Sequence, residues 1–447
     1  MGKLRIATVF SGIGALEESL KQLGIDHVIK FACDNGEREP KQDFRTIYKV
    51  ACSVFEESET KALMQNLSNL IFRRKTDNPL IEEQVDTYYK MANSLENEEL
   101  VDYIESIEDI LDGEDVLYSF KLTYSDLPES LKDFSEEKVA KFVEKWYETT
   151  KKPNYMKVSY TSNYKIEKDN WYEDVRFLRG QKFEGDVDLF MGGSPCQSFS
   201  TYGKKRGLED ARGTLFYDYA RLVKEIRPKV FIYENVRGLL THDKKKTWSV
   251  IYNIFDSLGY DFDYKVLDAQ HYGLPQMRVR VFVVGIRKDI AKGKKIQFPE
   301  PIELTTTSRD YLQTNVDKKY YLGQKGFEWA TTPSKHRNKT RVNRDIIGCQ
   351  TANQQDNWIG DLRIEAPKPE HYQDDRIYVG RYEGRPAVAR KMTPQECLNL
   401  MGFKHFNIVV DDIRMYRQAG NSIAVPVLNA IVKQLKPFLK YVERTDA

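Results

Sequence analysis

The chain has 447 residues, of which 40% are hydrophobic and 30% are charged, so two or three domains with a sizeable core are expected. It contains no apolar run of about 18 residues and no basic-then-apolar leader at Met1, which argues against a membrane span and against export. The five cysteines are scattered without a CxxC or Cys/His cluster, which argues against a disulfide framework and a structural zinc site and favours a reducing, intracellular compartment.

The formal net charge of +2 averages over two unequal regions. From Glu56 to Glu148 the chain has 24 acidic residues against 10 basic ones, whereas the remainder has 59 basic residues against 43 acidic ones. One acidic segment therefore masks a basic protein, and the basic part is suited to a polyanionic ligand.

The first predicted elements form a β-turn-α unit. Residues 6–10 predict a buried strand, and after a glycine turn Leu16, Leu20 and Leu23 recur at helical spacing. VIKFACDN predicts a second short apolar strand that ends in Asp34. The acidic region that follows, about 50–165, is rich in helix formers, and we interpret it as a mainly helical insertion.

Strands and helices alternate again from residue 187. VDLFM, KVFIYENV, YDFDYKVLDA and VRVFVVGIR predict strands, while TLFYDYARLVKEI and TWSVIYNIFDSLG predict helices. This alternation predicts an α/β fold with a mostly parallel sheet and helices on both faces.

The remainder predicts two further units. Residues 288–389 contain six prolines and lose the alternation, which predicts a small, loop-rich domain. MTPQECLNLMGF and AVPVLNAIVKQLKPFL predict two final helices, with Thr393 and Glu396 in capping-box order. The predicted division is therefore 1–287, 288–389 and a returning segment, 390–447.

Two sequence motifs lie where strands end, which is where open α/β sheets bind their ligands. FSGIGAL places Gly12 and Gly14 between a strand and a helix, with Asp34 about twenty residues on, an arrangement suited to a nucleoside cofactor or simply to tight packing. GGSPCQSFS places Cys196 in a loop after a strand, where its thiolate could act as a nucleophile, although a lone cysteine is more often a small buried hydrophobe.

Two further motifs bring charge to the same edge. YENV ends a strand with Glu234, either an acid facing Cys196 or a carboxylate that caps the next helix. In HYGLPQMRVRVF, Gln276, Arg278 and Arg280 alternate, so an extended segment projects them to one side, as a pocket lining or as a charged edge strand.

Taken together and in this order, these motifs resemble those of the DNA cytosine-5 methyltransferase family. RGTLFYDYARLV, RKMTPQECLNLMGF and QAGNSIAVPVLNAI add three more segments of the resemblance, which covers about residues 4–50, 168–287 and 387–437. The resemblance implies a Rossmann-like sheet that binds S-adenosyl-L-methionine, and a target-recognition domain at 288–389. It also implies methyl transfer to carbon 5 of a flipped cytosine in duplex DNA, within a restriction-modification system.

The resemblance assigns the catalytic roles. Cys196 attacks carbon 6 of cytosine, Glu234 protonates or hydrogen-bonds ring nitrogen 3, and Arg280 holds the O2 side with support from Arg278. The cofactor set that it implies is Phe10, Ser11, Gly12, Ile13, Gly14, Asp34, Asn35, Asp174, Val175, Pro195, Leu215 and Asn421. Within this set Asp34 binds the ribose and Asp174 the adenine amino group, and Asn35 stands where many relatives carry an aromatic residue that stacks on adenine.

DNA contacts are expected from two regions. A closing loop at 198–212 offers cations for phosphates, and a basic, amide-rich stretch at 335–358 offers side chains that can read base edges. The expected DNA-binding residues are Gln197, Ser200, Tyr202, Lys204, Lys205, Arg206, Arg337, Arg341, Arg344 and Gln350. Tyr202 is the side chain expected to fill the space that the flipped base vacates.

The expected setting is a prokaryotic cytoplasm, with S-adenosyl-L-homocysteine as product, no metal, no membrane contact and action as a monomer. The resemblance also allows a cognate restriction endonuclease as a functional partner. Two alternatives stay open: cytosine-5 methylation of transfer RNA, and a catalytically silent regulator that binds specific DNA sequences. The intact set of Cys196, Glu234 and Arg280 speaks against the second.

Overall fold

The computed structural model describes residues 3–72, 91, 95, 99–103, 126–195, 215–332 and 340–439. The strands are β1 (Leu4–Val9), β2 (His27–Cys33), β3 (Trp171–Tyr172), β4 (Leu189–Gly192), β5 (Val230–Val236), β6 (Tyr260–Asp268), β7 (Val279–Arg287), β8 (Thr340–Val342), β9 (Gly360–Glu365), β10 (Gly380–Tyr382) and β11 (Arg385–Arg390). The helices are α1 (Ala15–Gln22), α2 (Phe44–Cys52), α3 (Glu57–Phe72), α4 (Asp126–Ser130), α5 (Glu136–Glu148), α6 (Tyr155–Thr161), α7 (Leu215–Ile226), α8 (Lys246–Ser257), α9 (Lys288–Ala291), α10 (Gln324–Thr331), α11 (Pro394–Asn399), α12 (Asp412–Asn421) and α13 (Val425–Gln434).

A seven-stranded sheet in the order β3-β2-β1-β4-β5-β7-β6 forms the centre of the fold. Strands β1 to β5 run parallel to one another, whereas β7 runs antiparallel to both β5 and β6. Successive residues of β1 point to opposite faces of the sheet, so Ile6 lies in one hydrophobic cluster and Ala7 in another. Because helices cover both faces, the α/β fold with a mostly parallel sheet is confirmed.

The core on one face of the sheet joins the two ends of the chain. It contains Leu4, Leu16 and Leu20 from the first elements together with Val427 and Leu428 of α13. The capping box predicted at Thr393 is present, with Pro394 in the first turn of α11. The returning segment therefore completes the core that β1 and α1 begin.

The described part of the acidic segment is helical and has its own hydrophobic core. Phe55, Phe142 and Trp146, from the region of α2 to α5, belong to one cluster of buried side chains that is separate from the clusters of the main sheet. Of the helices in the described ranges, none is both long and apolar enough to cross a membrane.

A four-stranded sheet in the order β10-β11-β9-β8 lies in the region predicted to be loop-rich. The sequence pattern did not predict this sheet, because buried charges interrupt the apolar alternation of its strands. Arg390 at the end of β11 is only 1% exposed and pairs with Glu365 at 2.7 Å and with both carboxylate oxygens of Glu396, at 2.8 and 3.0 Å. The charge of this buried arginine is therefore neutralised by two carboxylates of the protein.

Candidate active site

The turn between β1 and α1 has an unusual backbone. Phe10, Gly12 and Gly14 all have positive φ, at 54°, 56° and 78°. Among the atoms of the described residues, a Cβ atom added to Gly12 would meet only the carbonyl oxygen of Phe10, at 4.0 Å, whereas one at Gly14 would lie 2.3 Å from the Tyr164 ring. Gly12 thus leaves open space above the turn, and Gly14 permits the close packing beneath it.

Asp34 closes this turn from the end of β2. Its Oδ2 accepts a hydrogen bond from the Gly12 N–H at 2.9 Å, and its Oδ1 accepts one from the Gly36 N–H at 2.9 Å. Burial raises the pKa of Asp34, and these two hydrogen bonds oppose the rise. The glycine turn and the predicted ribose-binding carboxylate are therefore in direct contact.

Asp174 follows β3, next to the end of β2. Its Oδ1 accepts from the backbone N–H and Nε of Arg176, both at 3.0 Å. Its Oδ2 accepts from Arg176 Nη2 at 2.6 Å and from the Tyr147 hydroxyl at 2.9 Å. The predicted acceptor of the adenine amino group thus already has several donors, one of them from the acidic insertion.

The other predicted cofactor residues surround the same edge of the sheet. Ile13 and Val175 bury their side chains in the hydrophobic cores, so their backbone is the part that can face a ligand. Pro195 lies just past β4, Leu215 opens α7, and the Asn421 side chain donates to Glu37 at 2.9 Å. Ser11 hydrogen-bonds the backbone of Cys33, which fixes the turn to β2.

The charged pair of the site is formed by Glu234 and Arg280, on the neighbouring strands β5 and β7. Arg280 Nε lies 3.1 Å from Glu234 Oε1. Burial raises the pKa of Glu234, and the nearby guanidinium groups of Arg280 and Arg278 oppose the rise. A carboxyl group in this setting keeps its proton to a higher pH than an exposed glutamate does.

The start of the predicted cysteine loop lies directly beside Glu234. A Cβ on Gly193 would stand 2.9 Å from the Glu234 carbonyl oxygen, so only glycine allows this approach. The Asn235 amide donates to the Ser194 carbonyl at 3.0 Å, and the Ser194 and Tyr233 hydroxyls lie 2.8 Å apart. Residues 233–235 of β5 therefore fix the position of the chain that leads to Pro195.

Two predicted site residues, Arg278 and Gln350, are buried and hydrogen-bond to the protein backbone. Arg278 is buried, and its guanidinium donates to the carbonyls of Gln350 at 2.8 Å, Gly420 at 3.0 Å and Ser422 at 2.5 Å. Burial lowers its pKa to about 10. Gln350 is 3% exposed and donates to the Cys397 carbonyl at 3.2 Å. The predicted DNA contact of Gln350 stays a prediction, because this side chain is buried here among protein partners. Arg278 joins the residue-350 loop to the end of α12, next to Arg280, which it was expected to support.

The remaining DNA-binding predictions divide into two groups. Arg341 is exposed at the edge strand β8, whereas Arg344 lies 3.9 Å from the Asp361 carboxylate. The other predicted catalytic and DNA-binding residues lie outside the described residues: Cys196, Gln197, Ser200, Tyr202, Lys204, Lys205, Arg206 and Arg337.

Two residues at the site were not predicted from the sequence. Tyr147 reaches Asp174 from α5, as given above, and Cys349 Sγ lies 3.4 Å from Arg278 Nη1 and 3.7 Å from Arg280 Nη2. Neither belongs to a recognisable motif, and no local pattern could have indicated contacts made across so many residues. The residues that the structure describes include no cluster of three or more metal-ligating side chains.

Comparison with known families decides the assignment. The family described as C-5 cytosine-specific DNA methylase matches residues 78–437 of the chain. The chain belongs to this family. The match runs through β5 and β7, which carry the Glu234–Arg280 pair, and it includes the segment in which Cys196 lies.

Curated relatives of the methylase chain are similar over part of its length. Type II methyltransferase M1.ScrFI of Lactococcus lactis subsp. cremoris is 36% identical over 258 residues, 57% of this chain and 64% of the relative. M.SsoII of Shigella sonnei is 36% identical over 56% of this chain and 64% of the relative. The chain thus spans somewhat less than two thirds of these relatives, but 88% of M.HhaI of Haemophilus parahaemolyticus, at 31% identity over 294 residues.

A solved structure agrees with the fold of the methylase chain. The crystal structure of S. pombe Dnmt2 methyltransferase superimposes with a TM-score of 0.52 at 15% identity, covering 97% of this chain and 99% of the other. At this identity the likeness concerns the fold alone.

Proposed function

We propose that the protein transfers a methyl group from S-adenosyl-L-methionine to carbon 5 of a cytosine flipped out of a specific duplex DNA sequence, as the modification enzyme of a restriction-modification system. The observation that carries this proposal is the partly buried Glu234–Arg280 pair beside the loop that leads into Cys196. Membership of the cytosine methylase family and similarity to type II methyltransferases support the same reaction.

Carbon 5 of cytosine is a poor nucleophile, so the proposed mechanism activates the ring covalently at carbon 6. The Cys196 thiolate forms a bond to carbon 6 while the Glu234 carboxyl gives its proton to ring nitrogen 3, which prevents negative charge from building up on the ring. Arg280 hydrogen-bonds the O2 atom and, by its contact with Glu234, keeps the carboxyl group oriented. After methylation, carbon 5 loses its proton to water or hydroxide, the Cys196 thiolate leaves carbon 6 by elimination, and ring nitrogen 3 returns its proton to Glu234.

The residues around the glycine turn fit S-adenosyl-L-methionine, which supplies an electrophilic methyl group when bound. The open space above Gly12 admits a ligand close to the backbone, and Asp34 lies where a carboxylate can bind ribose hydroxyls. The turn follows the carboxyl end of β1, and Glu234 lies near the carboxyl end of β5, with only β4 between the two strands. Arg280 reaches the same edge from the start of the antiparallel strand β7, so bound cofactor and flipped base would meet there.

Covalent trapping tests the proposal. Duplex DNA that contains 5-fluorocytosine keeps the cysteine adduct, because fluorine at carbon 5 blocks the final elimination. We expect a stable protein–DNA adduct that requires S-adenosyl-L-methionine, and radioactive methyl transfer to ordinary duplex DNA but not to transfer RNA. Cys196→Ser should abolish both signals, while Cys52→Ser, at an exposed cysteine of the insertion, should leave them unchanged.

Failure would be clear in either assay. Methylation of transfer RNA in preference to duplex DNA would replace the proposed substrate. DNA binding without any adduct or methyl transfer would indicate the catalytically silent regulator instead.

A further inference from the structure

The end of the acidic insertion lies against the part of the site that the proposed function assigns to adenosine. Tyr147 of α5 donates to Asp174 at 2.9 Å, and the Asn154 amide donates to the Asp34 carbonyl at 2.8 Å. The Arg38 guanidinium lies 4.9 Å from the centre of the Tyr147 ring and so packs it against the loop after β2. The end of the insertion therefore contacts the residues proposed to bind adenosine, Asp34 and Asp174.

The hydrogen bonds of Asp174 leave little room for a further donor. A carboxylate offers about four lone-pair sites. Three groups of Arg176, namely its backbone N–H, Nε and Nη2, and the Tyr147 hydroxyl occupy these sites at 2.6 to 3.0 Å. An adenine amino group could reach Asp174 only by displacing one of these donors.

The Tyr147 oxygen has the acceptor capacity that Asp174 lacks. Its proton is committed to Asp174, and burial together with the negative charge of Asp174 raises its pKa, so the hydroxyl stays protonated. A hydroxyl oxygen has two lone pairs, of which the Asn35 amide can engage one. Donation to a carboxylate also makes the oxygen a stronger acceptor.

We propose that Tyr147, and not Asp174, accepts the adenine 6-amino group of the cofactor, with Asp174 orienting the Tyr147 hydroxyl. This inference rests on the proposed function, since it concerns the same cofactor site. It gives the acidic insertion a role in cofactor selection and supplies an adenine contact in a chain that has Asn35 at the position where many relatives have an aromatic residue.

Calorimetric titration tests the inference without an activity assay. The ligands are S-adenosyl-L-homocysteine and S-inosyl-L-homocysteine, which carries a carbonyl oxygen in place of the 6-amino group. We expect Tyr147→Phe to raise the Kd for the adenosyl ligand about tenfold, equivalent to about 1.4 kcal/mol, and to change the Kd for the inosyl ligand less than about twofold. A merely structural defect would weaken both ligands alike.

The matched control is Tyr260→Phe, which removes a buried hydroxyl that donates to the Pro228 carbonyl at 2.7 Å in another part of the sheet. It should leave both Kd values unchanged, and thermal unfolding of both variants measures any general loss of stability. A second variant, Asp174→Asn, keeps an oxygen that accepts from Tyr147, so it should raise the adenosyl Kd less than Tyr147→Phe does.

Two results would overturn the inference. One is adenosyl binding by Tyr147→Phe that is as tight as in the unchanged protein or tighter, because a freed Asp174 would then be the acceptor. The other is a larger loss in Asp174→Asn than in Tyr147→Phe. Failure of the unchanged protein to bind S-adenosyl-L-homocysteine at all would instead overturn the proposed function.

Discussion

Glu234 shows how a single side chain acquires its chemistry from burial. The carboxyl lies between β5 and β7 with one guanidinium at 3.1 Å, yet burial outweighs that attraction and raises its pKa. A general acid needs a proton to give near the working pH, and an exposed glutamate would have lost it. The same strand end thus carries both the proposed proton donor, Glu234, and Asn235, whose amide donates to the Ser194 carbonyl.

A pH dependence follows from the direction of this shift. As pH rises through the raised pKa of Glu234, the protonated form disappears, and we expect the rate of adduct formation on 5-fluorocytosine DNA to fall. Glu234→Gln should lower that rate about 10²-fold and lose this alkaline limb. Glu303→Gln, at an exposed position, should keep the original profile. An alkaline limb retained in Glu234→Gln would assign the titration to another group.

The sequence indicated some site residues better than others. The approach of Glu234 and Arg280 was predictable, because both lie where predicted strands meet one edge of a sheet. The hydrogen bonds of Arg278 could not be predicted, because the carbonyl groups that accept them lie 72 to 144 residues away in the sequence. The contact of Tyr147 with Asp174 could not be predicted either, because Tyr147 lies in a segment with no motif and only the fold brings the two residues together.

Among the elements, β11 and α11 depend on one buried ion pair. Glu396 is fully buried, binds Arg390 through both oxygens, and accepts the Thr393 and Gln313 N–H groups at 2.8 and 2.9 Å. This carboxylate therefore joins the small sheet, the loop before it and the cap of α11.

Removing the charge of Glu396 should be costly. Glu396→Gln leaves the buried Arg390 without its bidentate partner, and we expect the free energy of unfolding to fall by about 3–5 kcal/mol. Urea unfolding followed by circular dichroism measures this change. Glu370→Gln, at an exposed carboxylate of the same domain, should stay within about 0.5 kcal/mol of the unchanged protein. If the two variants were equally stable, the Arg390–Glu396 pair would not make the expected contribution to stability.

Alternation of apolar strands and amphipathic helices was sufficient to predict the main sheet and its covering helices. It did not reveal β3, which is two residues long, or the four-stranded sheet, whose strands carry buried arginines. In both cases pairing with distant strands, and not local pattern, makes the segment extended.

The charge distribution of the whole molecule predicts strongly salt-dependent DNA binding. If the basic part neutralises about six to ten phosphates, affinity should fall by about 10³–10⁵ between about 50 and 200 mM salt. Arg341→Ala, on the exposed edge strand, should reduce the slope of log K against log salt by about one, whereas Lys141→Ala on the acidic insertion should not change it. Fluorescence anisotropy with labelled duplex measures both slopes, and equal slopes would exclude Arg341 from the interface.

Because α13 packs on the same core as β1 and α1, the order of synthesis matters. The glycine turn is synthesised long before α13, so the apolar surface behind the turn stays uncovered until residues 425–434 have emerged from the ribosome. A chain that stops before α13 therefore leaves the apolar surface of β1 and α1 open to contacts with other chains.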